Sequence, residues 1–240
     1  SIYAKDSNAY PGRDMRRSLS LVTLPGLNKP LLVDLFTVTG TANMIDLPTH
    51  YLGQFIEISE SLNVQREPAP LGTDSGYQHI WQEARSQPTS GNALKFSWMV
   101  ANRFYTMFRS TEPGDFFVHG RLGANDPDFN LRRDPTLIHR RVPQTDRNTF
   151  VSVIDSHGEY SPVTELSQGQ QSVISDVKII FDNTEYTVAS IFLGSGDAFT
   201  LAWAHQDFSE DRIHEVDLPQ GLLRWAGPQR IEKQEVEINE

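Results

Sequence analysis

Short runs in which apolar and polar residues alternate, each closed by turn-forming residues, recur along this chain. Such runs occupy residues 19–24, 31–38, 51–58, 116–120, 149–154, 173–181 and 186–193. A period of two is typical of β-strands, and Asp182 and Asn183 between the last two runs predict a hairpin. No segment has a helical pattern longer than two turns. The sequence therefore predicts an all-β protein, a large antiparallel β-sandwich.

The length of the chain, 240 residues, suits one such unit, because sandwiches and barrels reach ~200–250 residues as single domains. No linker or internal repeat divides the sequence, so we expect residues 1–240 to form one β-sandwich domain. Within it, residues 231–240 alternate Glu with Val and Ile, which favours an edge strand or a tail. A strand-like pattern begins directly after Ser1, which predicts that the chain is a fragment of a larger protein.

The charge of the chain limits the kinds of partner that it can bind. Its formal net charge is −10, which argues against nucleic acid, because phosphate binding needs a basic surface. The same charge opposes an acidic polysaccharide unless a local basic cleft attracts it. The sequence has no cysteine, which excludes disulfides and thiolate chemistry. It also has no run of ~18 apolar residues, so we expect no membrane span.

Two segments carry side chains that suit a ligand. Residues 76–81, GYQHIW, place Tyr77 and His79 beside amide and indole groups after a glycine-rich loop. Sugar sites combine aromatic faces with such hydrogen-bonding groups, so Tyr77 and His79 are candidates for substrate binding. The alternative is packing, with Tyr77, His79 and Trp81 on one face of a strand.

The second segment is the main basic concentration of an acidic chain. Its members are Arg132, Arg133, Arg140, Arg141 and Arg147. Because arginine binds carboxylates through a two-pronged contact, Arg132 and Arg133 are candidates for binding an acidic sugar. The alternative is ion pairing with carboxylates that are close in sequence, at Asp126, Asp128, Asp134 and Asp146.

Metal and nucleophile motifs are missing from the sequence. None of the seven histidines forms a His-x-x-x-His pair, and no compact cluster of His and carboxylates is present. Ligands on separate strands can still converge, so the spacing alone does not settle the question. Neither a phosphate-binding loop nor a nucleophile elbow occurs. The sequence therefore gives no support for phosphoryl, hydride or serine-esterase chemistry.

Five blocks of sequence, in this order, resemble the C-terminal part of the family 17 polysaccharide lyases. The blocks are residues 6–12 (DSNAYPG), 46–54 (DLPTHYLGQ), 76–81 (GYQHIW), 124–135 (ANDPDFNLRRDP) and 150–158 (FVSVIDSHG). These lyases are alginate and oligoalginate lyases of the heparinase II/III-like group. The resemblance covers roughly residues 1 to 190.

The resemblance implies a two-part enzyme in which an N-terminal α/α toroid packs against a C-terminal β-sandwich. Such enzymes cleave uronides by β-elimination. The resemblance also implies that the principal catalytic residues and the family's zinc site lie upstream of Ser1. This chain would then lack the toroid, hold no catalytic residue, metal ligand or cofactor of its own, and be active only with the N-terminal part. Glu165 is the best match to an acidic residue expected near the cleft, which makes it a further candidate for substrate binding.

The resemblance also predicts partners and location. We expect contacts with the toroid of the same enzyme and with an acidic polysaccharide or oligosaccharide, a homodimer, and a periplasmic or secreted bacterial enzyme. Two alternatives stay open. The chain is either a non-catalytic carbohydrate-binding or assembly module, or part of a lyase that acts on heparin-like glycosaminoglycans.

Overall fold

Strands make up most of the protein, as expected. The computed structural model describes residues 1–123 and 134–234. Within them, the sole helical element is a 3-10 turn, η1, at Tyr77–His79. The strands are β1 (Ile2–Asp6), β2 (Asp14–Val22), β3 (Leu31–Thr39), β4 (Ile45–His50), β5 (Gln54–Ile58), β6 (Leu62–Pro70), β7 (Ile80–Ser86), β8 (Leu94–Val100), β9 (Arg103–Arg109), β10 (Phe116–Leu122), β11 (Pro135–Arg141), β12 (Arg147–Ser161), β13 (Leu166–Gln168), β14 (Ile174–Asp182), β15 (Tyr186–Leu193), β16 (Ala198–Ala204), β17 (Ile213–Leu218), β18 (Gly221–Ala226) and β19 (Gln229–Lys233). The prediction of an all-β protein is confirmed.

The strands form four antiparallel sheets. Sheet A has the order β1-β2-β3-β12-β9-β8-β5, with β13 paired to β12, and sheet B has the order β4-β11-β10-β7-β6. Sheet C has the order β14-β15-β16-β19, and sheet D is the hairpin β17-β18. The predicted hairpin at Asp182 and Asn183 joins β14 to β15. The predicted edge strand or tail at 231–240 is described only in part. Its first residues belong to β19, which ends sheet C, and residues 235–240 lie outside the described residues.

Sheet A is covered on both faces, which extends the predicted sandwich into a stack of sheets. Val33 and Val153 of sheet A share an apolar cluster with Ile191 of sheet C. On the opposite face, Val38 shares a cluster with Leu47 of sheet B. Because successive side chains of a strand point to opposite faces, this double burial requires apolar residues at nearly every position. It explains why the run at 31–38 is almost continuously apolar.

Sheet D covers the other face of sheet C. Val188 and Ala202 of sheet C form a cluster with Leu223 and Trp225 of sheet D. The layers therefore follow the order B, A, C, D, with an apolar core in each interval. No helix within residues 1–123 and 134–234 has the length and hydropathy needed to cross a membrane.

A buried polar cluster lies between sheets A and B. Arg141 donates to both carboxylate oxygens of Asp115, at 2.7 and 2.9 Å, and the Nε2–H of His139 donates to the same carboxylate at 2.7 Å. Burial alone would raise the pKa of Asp115, but the hydrogen bonds from His139 and Arg141 lower it to about 2. Burial lowers the pKa of His139 to about 4. The cluster is therefore a carboxylate held by a guanidinium and a neutral imidazole.

One predicted strand run is shorter in the structure. The run at 51–58 forms a strand only from Gln54, where β5 begins. Gly53 precedes it with a φ of +86°, and a Cβ at this position would overlap the carbonyl oxygen of Met99. The close approach of the two backbones therefore requires glycine and interrupts the strand between Tyr51 and Gln54.

Candidate functional site

Tyr77 is bound to an ion pair on the outer face of sheet B. Its hydroxyl donates to Oδ2 of Asp46 at 2.6 Å, and Arg140 holds both oxygens of that carboxylate at 2.7 Å. Burial and the hydrogen bond to Asp46 raise the pKa of Tyr77 to about 12. The phenol therefore stays protonated, and its hydrogen-bonding capacity is used within the protein.

The packing alternative for residues 76–81 is wrong in its geometry. Tyr77–His79 form the 3-10 turn η1 after Gly76, which has a φ of +89°, and the strand begins only at Ile80. Tyr77 and His79 therefore do not alternate with Trp81 along one strand face. His79 is exposed at the end of this turn.

Glu165 lies in the turn that joins β12 to β13 of sheet A, just before β13 begins. It is exposed, has a φ of +57°, and forms no ion pair with another described residue. No hydrogen bond or ion pair links it to the turn that holds Tyr77 and His79 in the part of the chain that the structure describes. Arg132 and Arg133 lie outside the described residues.

The other arginines of the basic segment form ion pairs, but with partners that sequence proximity did not indicate. The pairs are Arg140 with Asp46, Arg141 with Asp115, and Arg147 with Asp182. Each partner comes from a distant part of the sequence, because the strands that meet in these sheets are far apart along the chain. The alternative of local ion pairs is therefore wrong for these three residues, and Asp126 and Asp128 lie outside the described residues.

A cleft between the edge strands β5 and β6 offers a different site, which the sequence did not reveal. We call it the β5–β6 cleft, and its volume is about 360 Å³. The residues that line it are Phe55, Leu62, Val64, Gln65, Arg66, Pro68, Glu83, Ala84 and His119. Phe55 and Val64 remain 41% and 78% exposed. An accessible aromatic ring beside amide, guanidinium and carboxylate groups is the composition expected of a sugar site.

His119 and Glu83 form the polar floor of this cleft, and each contacts a residue that does not line it, Tyr51 or Arg121. The hydroxyl of Tyr51 lies 2.7 Å from Nε2 of His119, and Nδ1 of His119 lies 3.4 Å from Glu83. Arg121 contacts the other oxygen of Glu83 at 2.6 Å. Because Nδ1 of His119 faces a carboxylate, this nitrogen carries the ring proton, and the phenol donates to Nε2.

Burial decides the protonation of these groups. It lowers the pKa of His119, which favours the neutral ring. It raises the pKa of Tyr51 to about 12, so the phenol remains protonated. His119, which lines the cleft, can therefore orient a ligand as a neutral ring, while Tyr51 holds that ring in place and is itself a poor base near neutral pH.

Local irregularity in sheet B aims His119 at the cleft. The pairing of β10 with β7 shifts register between His119 and Gly120. A Cβ at Gly120 would lie 2.7 Å from the carbonyl oxygen of Trp81, so glycine permits the close approach. Bulges of this kind redirect the neighbouring side chain.

Aromatic rings extend from the cleft into the core between sheets A and B. The ring centroids of Phe55 and His119 are 5.6 Å apart, and those of Phe55 and Phe96 are 5.8 Å apart. Trp98 stacks on Phe96 at 5.5 Å and on Tyr105 at 5.6 Å. These contacts fix the position of the phenyl ring that faces the cleft, because Phe55 packs against a row of aromatic rings.

The donor groups of the described residues do not form a metal centre. Within residues 1–123 and 134–234, no three His, Asp or Glu side chains converge in a way that could hold a metal ion. Arg121 and Glu83 at the cleft floor neutralise each other instead.

Comparison with known proteins gives two curated relatives. The chain is 33% identical over 232 residues to the exo-oligoalginate lyase of Saccharophagus degradans, covering 93% of this chain and 31% of that protein. It is 35% identical over 223 residues to the alginate lyase of Stenotrophomonas maltophilia, covering 92% of this chain and 29% of that protein. The chain thus spans about three tenths of the length of the curated relatives it matches. No family model matches the chain.

Proposed function

We propose that this chain is the C-terminal β-sandwich portion of an alginate or oligoalginate lyase of polysaccharide lyase family 17, within the heparinase II/III-like group. The observation that carries the proposal is identity of 33 and 35% to two alginate-degrading lyases over more than nine tenths of the chain. An all-β architecture with a cleft of sugar-site composition supports it. The enzyme is periplasmic or secreted in a bacterium, and two copies associate as a homodimer.

The reaction is β-elimination, and it requires three things of a protein. The uronate carboxylate must be neutralised, a base must remove the proton at C5, and an acid must protonate the departing O4. In the described residues, Tyr51 and Tyr77 are both held protonated by pKa values raised to about 12. A phenol held in this way does not remove a proton readily, so neither Tyr51 nor Tyr77 suits the role of base, and the family resemblance assigns the principal acid and base to the N-terminal toroid.

The family's zinc site also belongs upstream of Ser1 in this proposal. This placement of the zinc ligands rests on the family resemblance. This chain then supplies the scaffold, one wall of the substrate cleft and subunit contacts. The exposed hairpin that carries Glu165 is a candidate for the part of the wall nearest the toroid.

A second function is a non-catalytic carbohydrate-binding or assembly module. The β5–β6 cleft favours this candidate, because its composition suits sugar binding while its phenol and imidazole are hydrogen-bonded to each other. Heparin-like glycosaminoglycans are the alternative substrate, since they too are uronides. The two functions differ in whether a toroid accompanies the chain.

The test uses the unsaturated uronide that elimination produces, which absorbs ultraviolet light. We expect the 240-residue chain alone to release no such product from alginate. We expect product when the chain is joined to the N-terminal part encoded with it, and less or none with a heparin-like substrate. The intact mass of the natural protein gives an independent check of the larger chain. Strong product formation by the homogeneous 240-residue chain would contradict the proposed division of labour.

A further inference from the structure

We propose that the β5–β6 cleft binds one uronate residue of an acidic oligosaccharide, with Arg66 on its carboxylate and Phe55 against its ring. The uronate class of ligand rests on the proposed function, but the site itself rests on the geometry of the cleft. It lies on the edge strands of two different sheets. It is separate from the turn of Tyr77 and His79 and from the hairpin of Glu165.

The charge of the cleft favours an acidic ligand. Glu83 is neutralised by Arg121, whose Nε lies 2.6 Å away. Arg66 lines the cleft, is exposed, and forms no ion pair with any other described residue. Glu57 on β5 is bonded to Lys95 and Ser97 instead. The charged lining residues are Arg66 and Glu83, and because Arg121 beside the cleft neutralises Glu83, the charge of Arg66 is left unbalanced among the described residues. A cleft concentrates such a local positive field even in a chain of net charge −10.

The shape and lining suit a single sugar unit. A volume of about 360 Å³ is near the lower end of the range of ~300–1,000 Å³ for ligand pockets. Phe55 offers an exposed ring that the aromatic row behind it holds in place. Gln65 and Glu83 offer an amide and a carboxylate to sugar hydroxyls.

The polar floor would select for the orientation of the sugar. His119 is fixed between Tyr51 and Glu83, so neither ring nitrogen needs a ligand to satisfy it. A carboxylate placed toward Glu83 would meet a like charge, whereas a carboxylate placed toward Arg66 meets an opposite one. The bound unit therefore directs its carboxylate to the Arg66 side and its hydroxyls to the Glu83 side.

The experiment is calorimetric titration of the 240-residue chain with saturated oligouronates, which needs no lyase activity. We expect saturable binding that weakens as salt is added. Replacing Arg66 by Gln should weaken binding about tenfold or more, because a hydrogen-bonded charge contact is lost, and Arg66→Lys should recover part of it. Phe55→Ala should weaken binding about fivefold to tenfold through the lost ring contact.

The matched control is Arg224→Gln, which removes an exposed arginine of sheet D. It should leave the affinity unchanged. Carboxyl-reduced oligosaccharides provide the second control, because the effect of Arg66→Gln should disappear when the ligand has no carboxylate. Far-ultraviolet dichroism and a melting curve show whether each variant folds as the parent does.

Two results would overturn the proposal. One is the absence of binding by the parent chain up to millimolar oligouronate, and the other is binding that Arg66→Gln leaves intact. If the parent does not bind but Phe55→Ala stops association with the N-terminal part, the cleft is a docking surface instead. If the full-length protein is an active lyase but the cleft binds no oligouronate, the proposed site is refuted and the proposed function stands. If the chain binds oligouronate but the longer protein has no lyase activity, the proposed function is refuted and the proposed site stands.

Discussion

Replacing Asp115 by Asn tests what holds sheets A and B together at their polar core. Asp115 and Arg141 are each 2% exposed, and their closest charged atoms lie 2.7 Å apart. His139 donates a further hydrogen bond to the same carboxylate. The substitution keeps the size of the side chain and removes its charge, so Arg141 would remain buried with a weaker acceptor.

The size of the effect follows from two independent arguments. The pKa of Asp115 is lowered from 3.8 to about 2, which corresponds to about 2.5 kcal/mol of preference for the charged form. Removing one partner of a buried ion pair typically costs about 3–5 kcal/mol. The figure from the pKa is smaller than the figure for a broken ion pair, because removing the charge of Asp115 also removes the energetic cost of burying that charge. We expect Asp115→Asn to lower the free energy of unfolding by about 3 kcal/mol.

Glu112→Gln is the matched control. Glu112 contacts the same guanidinium at 3.0 Å but is 53% exposed, and such pairs contribute only about 0–1 kcal/mol. Urea unfolding of both variants at pH 7, followed by far-ultraviolet dichroism, gives the two free energies from the midpoint and the slope. A repeat at lower pH separates charge from packing.

The pH series has a defined direction. Because the folded pKa of Asp115 is below the unfolded value, its contribution is complete above about pH 4 and declines as the pH falls through about 2. The difference between Asp115→Asn and the parent should therefore shrink in the same range. A cost for Asp115→Asn no larger than that of Glu112→Gln, or a cost that stays constant down to pH 2, would refute the argument.

Two further predictions concern protonation and backbone geometry. Burial and the charge of Arg147 lower the pKa of His205 to about 4. The contribution of the neutral ring to folding stability is therefore complete above about pH 6.5, and up to about 3 kcal/mol is lost as the pH falls through 4. His205→Gln should flatten this part of the stability profile, and an unchanged slope would contradict the assignment. Gly158→Ala should destabilise by more than about 1 kcal/mol, because the position has a φ of +48° and a Cβ would overlap the carbonyl oxygen of Gly169. Gly114→Ala is the control, because Gly114 has a φ of +96° but a Cβ there would meet open space. This variant should show only the cost of the unfavourable backbone conformation, so equal melting temperatures of the two variants would count against the steric explanation.

The class of fold is readable from the sequence, but the stacking of the sheets is not. Alternation predicts strands because it reports which side chains share a face, and the run at 31–38 became β3. The same run also contains residues that face two different neighbouring sheets, as Val33 and Val38 show. Which sheet covers which face depends on contacts between distant segments, and no local pattern encodes those contacts.

Local geometry near residues 76–81 was mispredicted for a similar reason. The composition favoured an extended strand, but Gly76 adopts a left-handed conformation and η1 follows it. The hydroxyl of Tyr77 then reaches Asp46, which precedes it by 31 positions. This turn therefore has a partner in a distant segment, whereas the sequence pattern reports only the neighbours along the chain.

The β5–β6 cleft shows what a sequence can and cannot reveal about a site. Tyr51 lies in the block at 46–54, and His119 lies in the predicted strand at 116–120. Both are therefore visible as polar aromatic residues in strand-rich regions. Their hydrogen bond spans 68 positions, and the bulge that aims His119 at the cleft needs Gly120 and the carbonyl of Trp81. Only the three-dimensional pairing brings these residues to one place.

The number of arginines in a segment does not show how many of them remain free to bind an acidic ligand. The basic segment around residues 132–147 is the obvious candidate for an acidic ligand, yet Arg140, Arg141 and Arg147 each have a carboxylate partner on another strand. A charge that is already neutralised within the protein attracts a polyuronate weakly. Arg66 stands outside that basic segment and forms no ion pair with another described residue, although it lines a cleft. Among the described residues, the cations that remain unpaired after folding are therefore a better guide to a site for an acidic ligand than the local density of arginines in the sequence, whereas Arg132 and Arg133 stay candidates outside the described residues.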